Sequence, residues 1–497
     1  MKAVITPVRI GLAMVLLCLI FGMVVGVSFG LNEDMFVRHV AEGIAAHPQL
    51  HDAISQSAIV HWALRAHFHA TGIGAFALAL VVLTMFADLS DARKRAASTL
   101  FGLGCLYPLT WLIMFWIAPD IGRKAAHDFW LVQAFTYIAV AGLASGMVIL
   151  GSSLYGPAGA AASGIKSELR HVRLGLVMMM LCLVFGISIG LSFGINGDLY
   201  RHHVSEGIAA HPLLHDAISQ AAIVRWALRA HFHATGISGF ALVLIGLTAL
   251  SSMSVAMKRL TAFLIGLGGC YPLAWLTMFW IGPELGRSAA HEHWLVKLLT
   301  YVGVGGLALG TAILAAGLLQ GLLKKALAPN SRFRAEVATV RVGLAMVLAC
   351  LAFGMAMGVS FGVAEDVYVR HVTEGIAAHP ALHDAASQAA IMRWALRAHF
   401  HATGIGAFAL GLMVLTMYSD MSAAAKRATA FAIGLGGCYP LAWLTMFWVG
   451  PELGRHAAHD YWLVQLLTYV GVGGLALGLL ALAANVLSKR QPVVVEQ

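Results

Sequence analysis

Charge is scarce in this sequence. Lys, Arg, Asp and Glu make up 11% of the 497 residues, against 60% hydrophobic ones. With a mean hydropathy of +0.81, that scarcity excludes an ordinary soluble globule. Cysteine is scarce too. All six cysteines (Cys18, Cys105, Cys182, Cys270, Cys350 and Cys438) fall inside apolar runs and none forms a C-x-x-C pair, so neither a disulfide framework nor a zinc–thiolate site is indicated. The formal charge of +9 does not indicate a nucleic-acid partner, because the basic residues sit at the ends of the apolar runs, where they set topology. A removable signal peptide is excluded by repetition: the first run, after Lys2 and Arg9, recurs inside the chain after Arg173 and Arg341. Polar residues are sparse inside the runs, with Lys297 the main exception, which disfavours a transport path.

What is present is a repeat. Gly22-Met-Val-Val-Gly26-Val-Ser-Phe-Gly30 returns at Gly186 to Gly194 and at Gly354 to Gly362. The segment from His39 to Pro48 returns at His203 and His371, and Tyr107-Pro-Leu-x-Trp111 at Tyr271 and Tyr439. Three tandem copies follow, at residues 1–155, 156–325 and 326–497. Segments 151–168 and 320–336 read as the linkers.

Each copy reads as four spans of roughly 20 residues or more, the length a bilayer requires. In the first copy these are residues 8–30, 64–87, 97–118 and 129–151. Gly102, Gly104 and Pro108 predict a kink in the third. The whole is an all-α membrane protein of twelve transmembrane helices, with its three four-helix repeats in a pseudo-threefold ring about the membrane normal. The clusters Arg93-Lys94-Arg95, Lys166, Lys258-Arg259, Lys324-Lys325, Lys426-Arg427 and Lys489-Arg490 place both termini on the cytoplasmic side of a bacterial-type inner membrane. All histidines except His171 then fall on the outer side or in the outer third of a span.

The sharpest local signal is Leu64-Arg65-Ala66-His67-Phe68-His69-Ala70-Thr71-Gly72, repeated letter for letter at Leu228 to Gly236 and at Leu396 to Gly404. Ionisable groups at the edge of a bilayer core are costly and read as functional. On a helix the two histidines point about 200° apart, so they serve two sites rather than one small ion. Histidines on opposite faces of three helices give pairs between adjacent helices, and two facing imidazoles suit the axial positions of a haem. The outer loop, about residues 31–63, supplies a second group: His39, Glu42, His47, His51 and Asp52. Its counterparts are His203, Glu206, His211, His215 and Asp216, then His371, Glu374, His379, His383 and Asp384. This group reads either as an amphipathic cap or as a zinc or copper site, with His47, His51, His211, His215, His379 and His383 as the ligands. Pro48 suits the first turn of a helix that runs on into the second span.

Ala66-His67-Phe68-His69 followed by Gly74-Ala75-Phe76-Ala77 resembles the tenth transmembrane helix of subunit I of the haem–copper oxidase superfamily. That subunit has twelve spans in three arcs of four, and its tenth helix carries a His-x-His whose members ligate two different haems. The resemblance implies up to three b-type haems here, held by the pairs His401 with His67, His69 with His231, and His233 with His399. It also implies Arg65, Arg229 and Arg397 as propionate partners, helped by Arg225 and Arg393; the first copy has His61 at that position. The family's copper ligands have no counterpart: the seventh span holds no histidine and the sixth no Trp-His-Pro-x-x-x-Tyr. An oxygen reductase is therefore not expected. Electron transfer, redox sensing and a quinol- or haem-linked oxidoreductase remain, with the bilayer and a quinone or periplasmic electron carrier as partners. A divalent-metal transporter or sensor using the outer histidines is the alternative.

Overall fold

The computed structural model describes residues 2–155, 165–323 and 332–488. The middle of each linker, residues 156–164 and 324–331 with Lys324 and Lys325, lies outside these residues, as do Lys489 and Arg490. Among the described residues every regular element is helical, and twelve helices are long and apolar enough to cross a bilayer. In the first copy these are α1 (Thr6–Leu31), α2 (Ser55–Phe86), α3 (Asp91–Ile121) and α4 (Trp130–Ser153). The second copy has α5 (Arg173–Ala210), α6 (Ser219–Leu250), α7 (Val255–Leu285) and α8 (Trp294–Leu318). The third has α9 (Ala335–Val363), α10 (Ser387–Tyr418), α11 (Ala423–Leu453) and α12 (Trp462–Leu487).

Contacts group the chain into two units. One takes in residues 1–150, 335–351 and 365–497, the other residues 151–334 and 352–364. In the first unit the copies at the two ends of the chain adjoin. Leu78 of α2 lies where a Cβ on Gly411 of α10 would sit, at 2.7 Å, and Phe86 meets Tyr418 edge-on at 5.0 Å. The Arg9 guanidinium donates to the last carbonyls of α12, at Leu487 (2.6 Å) and Ser488 (3.0 Å), a favourable end for a cation. In the second unit α5 packs on α6, where the Ser238 hydroxyl donates to the Met179 carbonyl at 3.1 Å.

The second span of each copy is the most enclosed. Every residue from Ile73 to Ala87 of the first copy is buried, while α4 turns Trp130 and Tyr137 outward, as suits aromatic residues at a membrane interface and lipid face. The kink expected in α3 is a 3-10 turn, Gly104–Leu106, followed by Pro108 in the first turn of the helix Tyr107–Ile121. There proline lacks no needed donor.

Two expectations about the outer segment are corrected. The stretch before the second span is not all loop, because residues Glu33–Ala46 form a helix capped by Asn32, whose side chain accepts from the Met35 N–H. Nor does a helix start at Pro48 and run on. Pro48–Leu50 is a single 3-10 turn, His51 is extended, and the helix begins at Ser55. His47 and His51 flank that turn, one on either side. The second span consequently starts nine residues earlier than Leu64, because its polar first turns remain helical above the apolar run.

Candidate functional site

His67 and His69 leave α2 towards different neighbours. On one side the Nδ1–H of His67 donates to the Gly22 carbonyl of α1 at 2.7 Å. Helix α1 comes this close only because residue 26 is glycine: a Cβ there would stand 2.5 Å from the imidazole. The second copy is the same, with His231 donating to Gly186 at 2.7 Å and Gly190 abutting the ring. On the other side the Nδ1–H of His69 donates to the Arg65 carbonyl one turn back, at 2.8 Å. His233 and His401 repeat this with Arg229 and Arg397, also at 2.8 Å. A carbonyl only accepts, so in each of these five rings Nδ1 carries the proton and Nε2 holds the lone pair. A metal-ligating histidine is oriented in this way, by a carbonyl at its other nitrogen.

An aromatic wall backs the second histidine. His69 stacks on Trp111 of α3, centroids 5.4 Å apart and planes within 17°, and meets the edge of Tyr107 at 5.1 Å. His233 stacks on Trp275 and His401 on Trp443, each at 5.6 Å. The arginine one turn before each histidine covers the same indole: Arg65 lies 4.8 Å from Trp111, Arg229 4.8 Å from Trp275 and Arg397 4.7 Å from Trp443. Cation–π contact thus holds the guanidinium beside the histidine. Within the first unit, His67 and His401, on different helices, lie within Coulombic range of each other, and so do Glu33 and Arg397.

Tyr107 and Trp111 are residues of this site that spacing alone does not pick out. That they belong to one repeated motif was the available signal; their contact with a residue some forty positions away was not visible in one sequence.

The outer-loop residues fasten the loop. His51 donates through Nε2 to the Pro119 carbonyl near the end of α3, at 2.9 Å, and its counterparts His215 and His383 do so to Pro283 and Pro451 at 2.8 and 2.9 Å. Asp52 pairs with Arg123 at 2.7 Å and accepts from the Ser55 hydroxyl at 2.7 Å, while its own N–H donates to that oxygen. Asp216 with Arg287, and Asp384 with Arg455, repeat the pair at 3.0 and 3.4 Å. His47 caps the C-terminus of the outer helix, and its N–H donates to the Gly43 and Ile44 carbonyls. Its counterparts His211 and His379 are exposed. Among the described residues no three His, Cys, Asp or Glu side chains gather as a metal site would require.

The Ser55 hydrogen bond, with Arg123 acting in the same sense, holds the Asp52 carboxyl below its ordinary range against an opposing desolvation. A carboxyl whose pKa is depressed in the folded state adds stability above its unfolded pKa and loses it as pH falls through the folded one. The loop at residues 47–54 is therefore expected to be protease-resistant at neutral pH and to loosen below about pH 4. Asp52→Asn should leave it cleavable at both. Cleavage of the variant that still tracks pH through this range would show that another group fastens the loop.

Compared with known families, curated proteins and solved structures, the chain matches none.

Proposed function

We propose that this membrane protein binds b-type haem between paired histidines, up to three haems in all, near its histidine-rich end, and works in electron transfer or redox sensing. The observation that carries this reading is the fixed Nδ1–H of the His-x-His rings. A histidine with its Nδ1 proton committed to a carbonyl presents an Nε2 lone pair in a set direction, as an axial ligand must. The Coulombic proximity of His67 and His401, both in the first unit, supports the first pair of the ring.

The surroundings fit such a group. A macrocycle lying across a ligating imidazole needs small residues about one turn along the helix. Gly72, Gly236 and Gly404 follow the second histidines by three positions, and a Cβ at any of them would meet nothing within 4 Å. Arg65, Arg229 and Arg397 stand on the same side as those histidines, suited to neutralise propionates at the outer surface. Bound there, haem supplies reversible one-electron chemistry. The chain's own residues orient the ligands through backbone carbonyls, hold the arginines over indole rings and exclude water with the buried halves of the second spans. The electron partner is a quinol or a water-soluble carrier on the outer side, with both termini cytoplasmic.

Haem content tests this reading. Protein purified from cells supplied with haem precursors is expected to show a Soret band, the reduced alpha band of six-coordinate haem b, and more than one haem per chain by pyridine haemochrome. Colourless protein that gains no such bands on adding haemin would refute it.

A further inference from the structure

Two cysteines of the first copy meet. Cys18 lies on α1 and Cys105 in the 3-10 turn of α3, and their thiols adjoin. The other copies show how specific this is. Residue 105 corresponds to Gly269 and Gly437, and a Cβ at those glycines would stand 3.3 Å from the Cβ of Cys182 and 3.2 Å from that of Cys350. A disulfide joins Cβ atoms about 3.5–4.5 Å apart, so a shift of a few tenths of an ångström reaches it. In the second and third copies the cysteine of this turn comes one residue later, at Cys270 and Cys438, roughly a third of a turn around the helix. In the first copy the two thiols are hydrogen-bonded, whereas Cys182 with Cys270 and Cys350 with Cys438 lie within Coulombic range.

We propose that Cys18 and Cys105 are a redox dithiol that closes to a disulfide within the membrane. The two S–H bonds break and one S–S bond forms, releasing two protons and two electrons. A lipid-soluble quinone takes up all four and leaves as quinol. Cys18 is buried and Cys105 half-buried inside a membrane span, out of reach of water-borne oxidants, which attack thiolates. Closure also reaches the histidine site. In the dithiol the Cys18 thiol donates to the Ala70 carbonyl at 3.4 Å, the residue after His69, and the disulfide has no proton to give. The inference does not depend on haem.

The full-length protein in detergent, reduced and then treated with a short-chain quinone, is expected to form one quinol per chain and to lose two hydrogens by intact mass. Digestion without reductant should link Cys18 to Cys105, and Cys18→Ala should abolish both signals. Gly269→Cys should add a second such link, to Cys182, on oxidation with copper phenanthroline. Linkage by copper phenanthroline without quinol formation would overturn the quinone as oxidant. Free Cys18 and Cys105 after both oxidants would overturn the site.

Discussion

Alanine at His67 and alanine at His401 are expected to disturb one and the same haem, and alanine at His69 a different one. The expectation follows from geometry. His67 and His69 leave α2 on opposite sides, the first held by α1 and the second walled by α3, so one ion cannot take both. His67 and His401, from different helices, lie within Coulombic range of each other. A bis-imidazole haem that loses one axial ligand becomes five-coordinate, changing spin state and visible bands, or dissociates. Six single replacements, at His67, His69, His231, His233, His399 and His401, read by haem stoichiometry and spectra, should sort into three matched pairs. A common centre lost in both His67→Ala and His69→Ala would refute the ring of pairs.

Gly26→Ala is expected to mimic loss of His67 without touching a ligand. The added methyl would sit 2.5 Å from the imidazole, inside van der Waals contact, so the ring must swing or α1 must withdraw. Either movement breaks the hydrogen bond to Gly22. Overpacking of this kind costs about 1–3 kcal/mol, which in a ligand site is roughly a ten- to hundredfold loss of affinity. Gly190→Ala should act in the same way on His231. The measurement is haem retained after titration with a competing apo-haem protein, alongside thermal unfolding. Unchanged retention in Gly26→Ala would mean that the ring's position does not govern the site.

Much of this was legible in the sequence, and what was not has a physical cause. The twelve spans follow from apolar run lengths, and the kink from Gly102, Gly104 and Pro108. The opposed directions of His67 and His69 follow from helical periodicity alone. The boundary at Ser55 was missed because Arg65 and His61 interrupt the apolar pattern, although the helix continues through them. The helix Glu33–Ala46 was missed because Glu33, Asp34, Arg38 and Glu42 interrupt its apolar residues and its 14 residues are too few to read as a span. The fastening of the outer loop was invisible because Pro119 contributes a carbonyl, which every residue has; only the fold selects it. The wall made by Trp111 and the meeting of Cys18 with Cys105 are long-range contacts, and spacing within a single sequence does not encode them.

Low-temperature electron paramagnetic resonance of the oxidised, purified protein tests the central claim most directly. Low-spin ferric signals of bis-imidazole haem are expected, with a high-spin component appearing when His67 or His401 is replaced by alanine. Protein without a haem signal, or with the same low-spin signals after all six histidines are replaced, would contradict it.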